Sequence, residues 1–337
     1  MKAVAYKTPG PIDRPDSLQD ITIETPTPTG RDVLVKVNAV SVNPVDTKIR
    51  MNKASDQGEW RVLGFDASGT VKTVGSDVKN FKTDDAVFYA GSIARQGTNS
   101  EYHLVDERIV GRKPHSISDA EAAALPLTSI TAWEMLFDRL DVRRPTPQGS
   151  SIILVIGGAG GVGSITIQLL RALTGLTIIA TASRPETRDW VSECGAHYVI
   201  DHRRPLAPQI QTLGLGAPGF VFSTTQTGKH LEDIVELIAP QGRFGLIDDP
   251  EELNIKPLKL KAVSIHWELM FTRSLFHTLD MGEQGKLLNE VAALVDAGKI
   301  RTTATEIAGR INAETLRQVH AKIETGTARG KIVLEGF

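Results

Sequence analysis

Residues 151–173 read SIILVIGGAGGVGSITIQLLRAL, and this stretch decides the fold. The five consecutive apolar residues Ile152–Ile156 carry the pattern of a strand covered on both faces. A helical pattern follows over 162–173. Between them Gly158-Ala-Gly160-Gly161-Val162-Gly163 spells G-x-G-x-x-G, directly after the strand and directly before the helix, which is the context that gives this spacing meaning. The first glycine permits a tight turn, the second lets backbone N–H groups close on a pyrophosphate, and the third lets helix pack against strand. The helix N-terminus adds free donors and partial positive charge. Gly158, Gly160, Gly161, Val162 and Gly163 are therefore candidate binding residues for a dinucleotide. A glycine turn that only serves packing is the competing reading.

The end of the next strand discriminates between cofactors, because an Asp or Glu there binds the free ribose hydroxyl of NAD. Here the sequence is Thr181-Ala-Ser183-Arg184-Pro185. A carboxylate would repel a 2′-phosphate, whereas the Ser183 hydroxyl and the Arg184 guanidinium both donate to one, so NADPH is the expected cofactor. Glu186 follows Pro185 and suits the first turn of a helix. His202, Arg203 and Arg204 add positive charge after the third strand, or form a solvated basic turn.

Strand and helix alternate onward through strands near 177–182, 198–200, 220–222, 244–247 and 262–265, with a helix near 229–238. Six such strands with crossover helices predict a doubly wound parallel sheet. Ser223 and Thr224 close the fourth strand, and Leu246, Ile247 and Asp248 close the fifth. Ligands bind outside the carboxyl ends of parallel strands, so these five are further cofactor candidates, with local packing as the alternative.

The first ~120 residues differ, with short alternating runs such as 33–37 and 86–89 between turns rich in Gly, Asp, Asn and Ser. Ser118-Asp-Ala-Glu121 is a capping box, a helical pattern covers 128–140, and RRPTPQG at 143–149 is a turn-rich link. After ~275 come a helix at 285–297, an Asn312-capped helix with Leu316, Val319 and Ile323 on one face, and a closing strand at 332–334. Two domains are expected, a β-rich one of 1–127 with 275–337 and a dinucleotide-binding one of 128–274. A chain of 337 residues with 41% hydrophobic and 23% charged residues and a net charge of −2 gives no sign of disorder, of an acidic tail or of a basic nucleic-acid surface. No apolar run approaches the ~20 residues of a membrane span, and MKAVAYKTPG has no signal-peptide core, so a cytoplasmic protein is expected. The single cysteine, Cys194, excludes internal disulfides and thiolate-rich metal clusters.

Four segments together resemble the medium-chain dehydrogenase/reductase superfamily over essentially the whole chain: VNPVDTK at 42–48, LPLTSITAW at 125–133, the glycine turn, and RGKIVL at 329–334. Within it they are similar to the quinone oxidoreductase branch, and more closely to zinc-type alcohol dehydrogenase-like proteins. The resemblance implies a Rossmann domain joined to a β-rich GroES-like catalytic domain. It sets Asn43 and Phe65 of Gly64-Phe65-Asp66 where the alcohol dehydrogenases hold catalytic zinc, with no thiol near Leu127. Phenylalanine cannot ligate zinc and the eight histidines are scattered, so no metal is expected. Without that Lewis acid, alkoxide formation loses its support, whereas an electron-poor quinone or enone accepts hydride directly.

The resemblance implies NADPH-dependent reduction of such a small-molecule acceptor. Asn43 would bond the acceptor oxygen, or else be a turn residue before Pro44. Thr131 would approach the nicotinamide amide. Lys48 stands where a tyrosine is common in the branch, which puts a proton-donor role there in question. It also implies a homodimer or higher homo-oligomer pairing edge strands near 262–266. The bulky run 266–271 is expected either to wall the acceptor pocket or to lie in a subunit interface. A zinc-dependent alcohol dehydrogenase and a catalytically silent NADPH-binding sensor or scaffold are the competing functions.

Overall fold

A computed structural model describes residues 1–54 and 58–337. The chain forms two compact units, Met1–Ile130 with Phe271–Phe337, and Thr131–Met270. Among the described residues, no helix is long and apolar enough to cross a membrane.

The second unit is a six-stranded, all-parallel sheet. Its strands lie side by side in the order Tyr198–Ile200, Thr177–Thr181, Ile152–Ile156, Phe220–Ser223, Arg243–Leu246, Ser264–Trp267. Chain order therefore reverses between the strands beginning at 152 and 220, the topological switch where doubly wound sheets bind dinucleotides. All five residues of Ile152–Ile156 are buried, as a strand flanked by parallel neighbours requires. Leu154 and Ile156 of this strand join Ile179 and Val221 from its two neighbours, and Phe244 from one strand further out, in one core cluster.

Three elements around this sheet depart from the pattern read in the sequence. The last strand starts two residues later than 262, because the 3-10 turn Lys256–Lys261 ends at Ala262 with φ of 50°. The helix expected over 128–140 is α-helical only over Pro126–Trp133. It then widens into a π-helical turn, Glu134–Arg139, closed by Leu140 N–H on the Met135 carbonyl at 2.8 Å. The Met135 sulfur sits so near Gly245 that a Cβ there would lie 2.2 Å from it. The helix Leu206–Leu213 escaped the sequence reading, since Pro208 interrupts its helical signal.

The first unit is largely antiparallel. Its longest strand, Asp32–Ser41, pairs with Ala67–Val74 across two register shifts, with Tyr102–Asp106, and with the closing strand Lys331–Glu335. The pairing of Val333 with Ser41, and the Val42 N–H bond to the Ile332 carbonyl at 3.2 Å, set residue 331 beside residues 42 and 43. The chain then turns into the helix Pro44–Asn52, with Asn43 at its N-cap and Pro44 at the first helical position. A separate three-stranded sheet joins Gln19–Thr22, Lys2–Tyr6 and Arg61–Val62.

Candidate active site

The glycine turn occupies the carboxyl end of Ile152–Ile156, and its glycines serve different ends. Gly157 takes φ of 82°, and its N–H donates to Thr181 Oγ1 at 3.0 Å. A Cβ on Gly163 would lie 2.2 Å from the Gly157 carbonyl, so that glycine admits the helix Gly161–Leu173 against the strand. Gly160 is different. A Cβ there meets nothing nearer than 3.7 Å, so packing within the protein gives no reason for its bareness. Gly160 is also the N-cap, and no side chain caps the helix, leaving backbone donors of the first turn facing the same space. These residues fit a dinucleotide pyrophosphate.

At the end of Thr177–Thr181, Ser183 and Arg184 lead into the helix Pro185–Glu193. The Arg184 guanidinium pairs with Glu186 at 3.1 Å, both half exposed, while the Arg184 N–H donates to Thr187 Oγ1 at 3.1 Å. Arg203 joins them, donating to the Ser183 carbonyl at 2.9 Å and pairing with Asp201 at 2.7 Å. Those Arg203 bonds hold the Asp201 carboxyl down to about 2. His202 Nδ1 lies 3.2 Å from Thr181 Oγ1, tying the third strand to the glycine turn. Burial lowers the His202 pKa; Asp201 opposes this, and the Lys229, Arg203 and Arg184 charges add to it.

The other cofactor candidates frame this end of the sheet. Thr224 Oγ1 donates to the Ile156 carbonyl at 2.9 Å, and Ser223 Oγ lies 2.8 Å from Thr227 Oγ1. Asp248 accepts from the Thr227 N–H at 2.8 Å and from its hydroxyl, capping the helix Thr227–Leu237 where the left-handed Gln226 provides no side-chain cap. The Leu246 side chain is fully buried in the core, and Ile247 is half-buried. Thr131 is buried in the helix Pro126–Trp133. In the run 266–271, Trp267 and Leu269 are exposed while Met270 and Phe271 are buried.

In the first unit, Asn43 lies in a buried polar cluster that Asp66 and Lys331 complete. Asp66 Oδ2 accepts from Ser41 Oγ at 2.8 Å, Asn43 Nδ2 at 2.7 Å and Lys331 Nζ at 3.0 Å; Oδ1 accepts from the Leu127 N–H at 2.7 Å. Lys331 Nζ also donates to the Val42 carbonyl at 3.0 Å and to Asn43 Oδ1. Behind them Asp46 accepts from the Asn43 N–H at 2.7 Å and the Gly64 N–H at 3.0 Å. Burial pushes the Asp46 carboxyl up to about 7 against those two donors and the nearby Lys331 charge. Gly64 holds φ of 105°, and a Cβ would lie 2.5 Å from Thr98 Oγ1. Lys48 lies on the exposed face of the helix Pro44–Asn52, whereas Asp46 and Thr47 of that helix are buried.

Asp66 and Lys331 were not recognised as site residues from sequence. The available signal was a lysine heading the closing strand KIVLE, whose first four residues all prove buried. A zinc ion fits these side chains poorly. Phe65 offers no lone pair and packs edge-on against Phe271, with ring centroids 5.2 Å apart. Asn43 Oδ1 and Asp66 Oδ2 already hold an ammonium, which repels a dication. Among the described residues no three His, Cys, Asp or Glu side chains are grouped to hold a metal.

Comparison with known proteins agrees with this architecture. Residues 29–115 match the alcohol dehydrogenase GroES-like domain and residues 161–281 match the zinc-binding dehydrogenase domain. The chain belongs to the medium-chain dehydrogenase/reductase superfamily, with a GroES-like domain and a Rossmann domain. Within it, the chain is 39% identical over 336 residues to the zinc-type alcohol dehydrogenase-like protein SAV2186 of Staphylococcus aureus, covering 99% of each. It is 30% identical to the mitochondrial NAD(P)H oxidoreductase RTN4IP1 of Mus musculus, over 90% of this chain and 81% of that one. A solved protein of Rhizobium etli, provisionally described as a zinc-dependent alcohol dehydrogenase, is 61% identical with a TM-score of 0.98, covering 100% of this chain and 98% of that one. The quinone oxidoreductase of Coxiella burnetii is 25% identical with a TM-score of 0.80, covering 100% of this chain and 99% of that chain.

Proposed function

We propose that this oxidoreductase uses NADPH to reduce a quinone or an α,β-unsaturated carbonyl, and does so without zinc. The observation that carries the reading is the Lys331 ammonium held on Asn43 Oδ1 and Asp66 Oδ2, with Phe65 beside them in the sequence where a metal ligand would stand. With no Lewis acid, an acceptor that is already electron-poor is the chemistry that remains accessible. Bound NADPH supplies the hydride. The uncapped first turn of Gly161–Leu173 and the bare Gly160 hold the pyrophosphate, while Ser183 and Arg184 hold the 2′-phosphate, with the Arg203 guanidinium and the His202 imidazole beside them. Asn43 donates to the acceptor oxygen as negative charge develops there, and Thr131 orients the nicotinamide amide. Lys48, on an exposed helix face, is assigned no proton-transfer step. The edge strand Ser264–Trp267, with Trp267 and Leu269 exposed, is the surface through which the chain forms a homodimer or higher homo-oligomer.

The test is NADPH oxidation against a panel of quinones and enones, run beside alcohol-dependent NADP⁺ reduction and an elemental zinc measurement. Turnover that survives chelation is the expected result. Stoichiometric zinc with alcohol oxidation overturns the reading. NADPH binding with no turnover on the whole panel also overturns it and favours a sensor or scaffold.

A further inference from the structure

We propose that Lys331 is a positioning residue that fixes the polarity of the Asn43 amide, so that Asn43 presents an N–H, not a carbonyl, to the acceptor. This rests on the function proposed above and names the residue that makes Asn43 suitable for it. Lys331 is 3% exposed, and its ammonium faces three oxygens: the Val42 carbonyl, Asp66 Oδ2 and Asn43 Oδ1. An ammonium has three donors, and all three are engaged. Lys331 therefore has no proton to offer a substrate and acts through its neighbours.

Its effect on Asn43 follows from charge. The amide oxygen meets the ammonium, and Nδ2 donates to the Asp66 carboxylate at 2.7 Å. Exchanging the two ends would set NH2 against an ammonium and a carbonyl against a carboxylate, two repulsive contacts in a buried site. The ambiguity that usually attends an amide orientation is removed by the flanking charges. The backbone is held as well, since the Asn43 N–H bonds Asp46 and the Asp46 N–H bonds the Asn43 carbonyl at 3.0 Å. An amide nitrogen carries two protons and Asp66 takes one, so the other is the donor that this arrangement fixes in place. Hydride acceptance builds negative charge on the acceptor oxygen, which a fixed donor stabilises and a carbonyl would destabilise.

The experiment compares wild type with Lys331→Met and with Lys331→Met/Asp66→Asn. The single variant leaves Asp66 buried without its counter-charge and is expected to melt earlier; the double variant removes both charges and is expected to recover the melting temperature. Activity should not follow. In the double variant kcat is expected to stay about tenfold or more below wild type, with NADPH affinity changed by less than about twofold, because the flanking charges that orient Asn43 are gone. Recovery of kcat together with melting temperature would overturn the proposal and leave Lys331 a structural ion-pair partner. A second readout needs no acceptor: the Asn43 side-chain amide protons, assigned by their loss in Asn43→Ala, are expected to exchange with solvent at least about tenfold faster in the double variant. Equal exchange rates overturn the proposal even if no acceptor is turned over, so this failure is distinguishable from failure of the reductase reading.

Discussion

The glycine turn of the second unit and the ammonium cluster of the first are built by opposite means. The turn is made of backbone: Gly157, Gly160 and Gly163 work by having no side chain, and Gly163 closes on Gly157 and Gly158 within one strand–turn–helix unit, with Thr181 and Thr224 of the flanking strand ends completing the surroundings of Gly157. The cluster is made of buried charge, and its members, Ser41, Asn43, Asp66, Leu127 and Lys331, are separated by up to 288 residues between bonded partners. A local backbone device tolerates loss of one contact, whereas a buried ion pair leaves an uncompensated charge when one partner goes. The two regions should therefore fail differently.

Asp66→Ala gives the largest expected effect. It strips the buried Lys331 ammonium of its carboxylate and removes the acceptor for Leu127, Ser41 and Asn43, and should cost about 3–5 kcal/mol. Chemical denaturation would register this as a lower midpoint; a midpoint within experimental error of wild type would mean that the pair is solvated and the cluster is not what holds this loop. The glycine turn should divide its losses by position. Gly163→Ala places a methyl 2.2 Å from the Gly157 carbonyl and is expected to destabilise by about 1–3 kcal/mol, since the helix must shift off the strand. Gly160→Ala meets nothing nearer than 3.7 Å, so stability should hold while NADPH affinity falls. Calorimetry together with cofactor titration separates the two, and equal losses of stability would show that Gly160 is bare for packing after all.

These differences also decide what could be read in advance. The turn was legible because sequence proximity is spatial proximity there, and because Ile152–Ile156 and the helix after it supply the context the glycines need. The β-rich character of the first unit and the helix caps at Ser118 and Asn312 were legible for the same local reason. Asn43 entered only through family resemblance, and its partners stayed hidden. Nothing near Asp66 indicates that a lysine 265 residues later will meet it; that follows from the pairing of Val333 with Ser41, which no local pattern encodes. Asp248 illustrates the reverse case. Its position at a strand end suggested ligand contact; what that position did not disclose is that its carboxylate also caps Thr227, where Gln226 adopts a left-handed conformation and leaves the helix without a side-chain cap.

Acidity offers a subtler contrast within the first unit. Burial pushes Asp46 up to about 7, so the folded protein keeps that proton at acidities where the unfolded chain has released it. Its stabilising contribution is full below the ordinary carboxyl value near 3.8 and is lost as pH rises through about 7. His320 behaves oppositely: burial holds it down to about 3, so stability is full above about 6.5 and declines as the unfolded chain takes up protons on acidification. Asp46→Asn removes the titrating group at the cost of one acceptor for the two backbone donors, a loss that does not vary with pH. Its melting temperature relative to wild type should therefore rise between about pH 5 and about pH 8. A constant offset would mean that Asp46 does not change its protonation over that range.

The smallest effect is expected at Arg184, and it tests the cofactor assignment. Its guanidinium is half exposed and already paired with Glu186 at 3.1 Å, so a 2′-phosphate must compete with a carboxylate for it. Solvent screening and that competition reduce what one charge-assisted bond would contribute, to about a tenfold change in affinity or 1.4 kcal/mol. Arg184→Ala should therefore weaken NADPH binding about tenfold and leave NADH binding unchanged, since NADH carries no phosphate at that position. Glu186→Gln should act in the opposite direction by freeing the guanidinium and removing a like charge from the phosphate. If wild type prefers NADH, or if Arg184→Ala weakens both cofactors equally, the Ser183–Arg184 pair does not select the phosphate. Arg203 would then be the next place to look, because it already reaches the Ser183 carbonyl from the adjoining strand end.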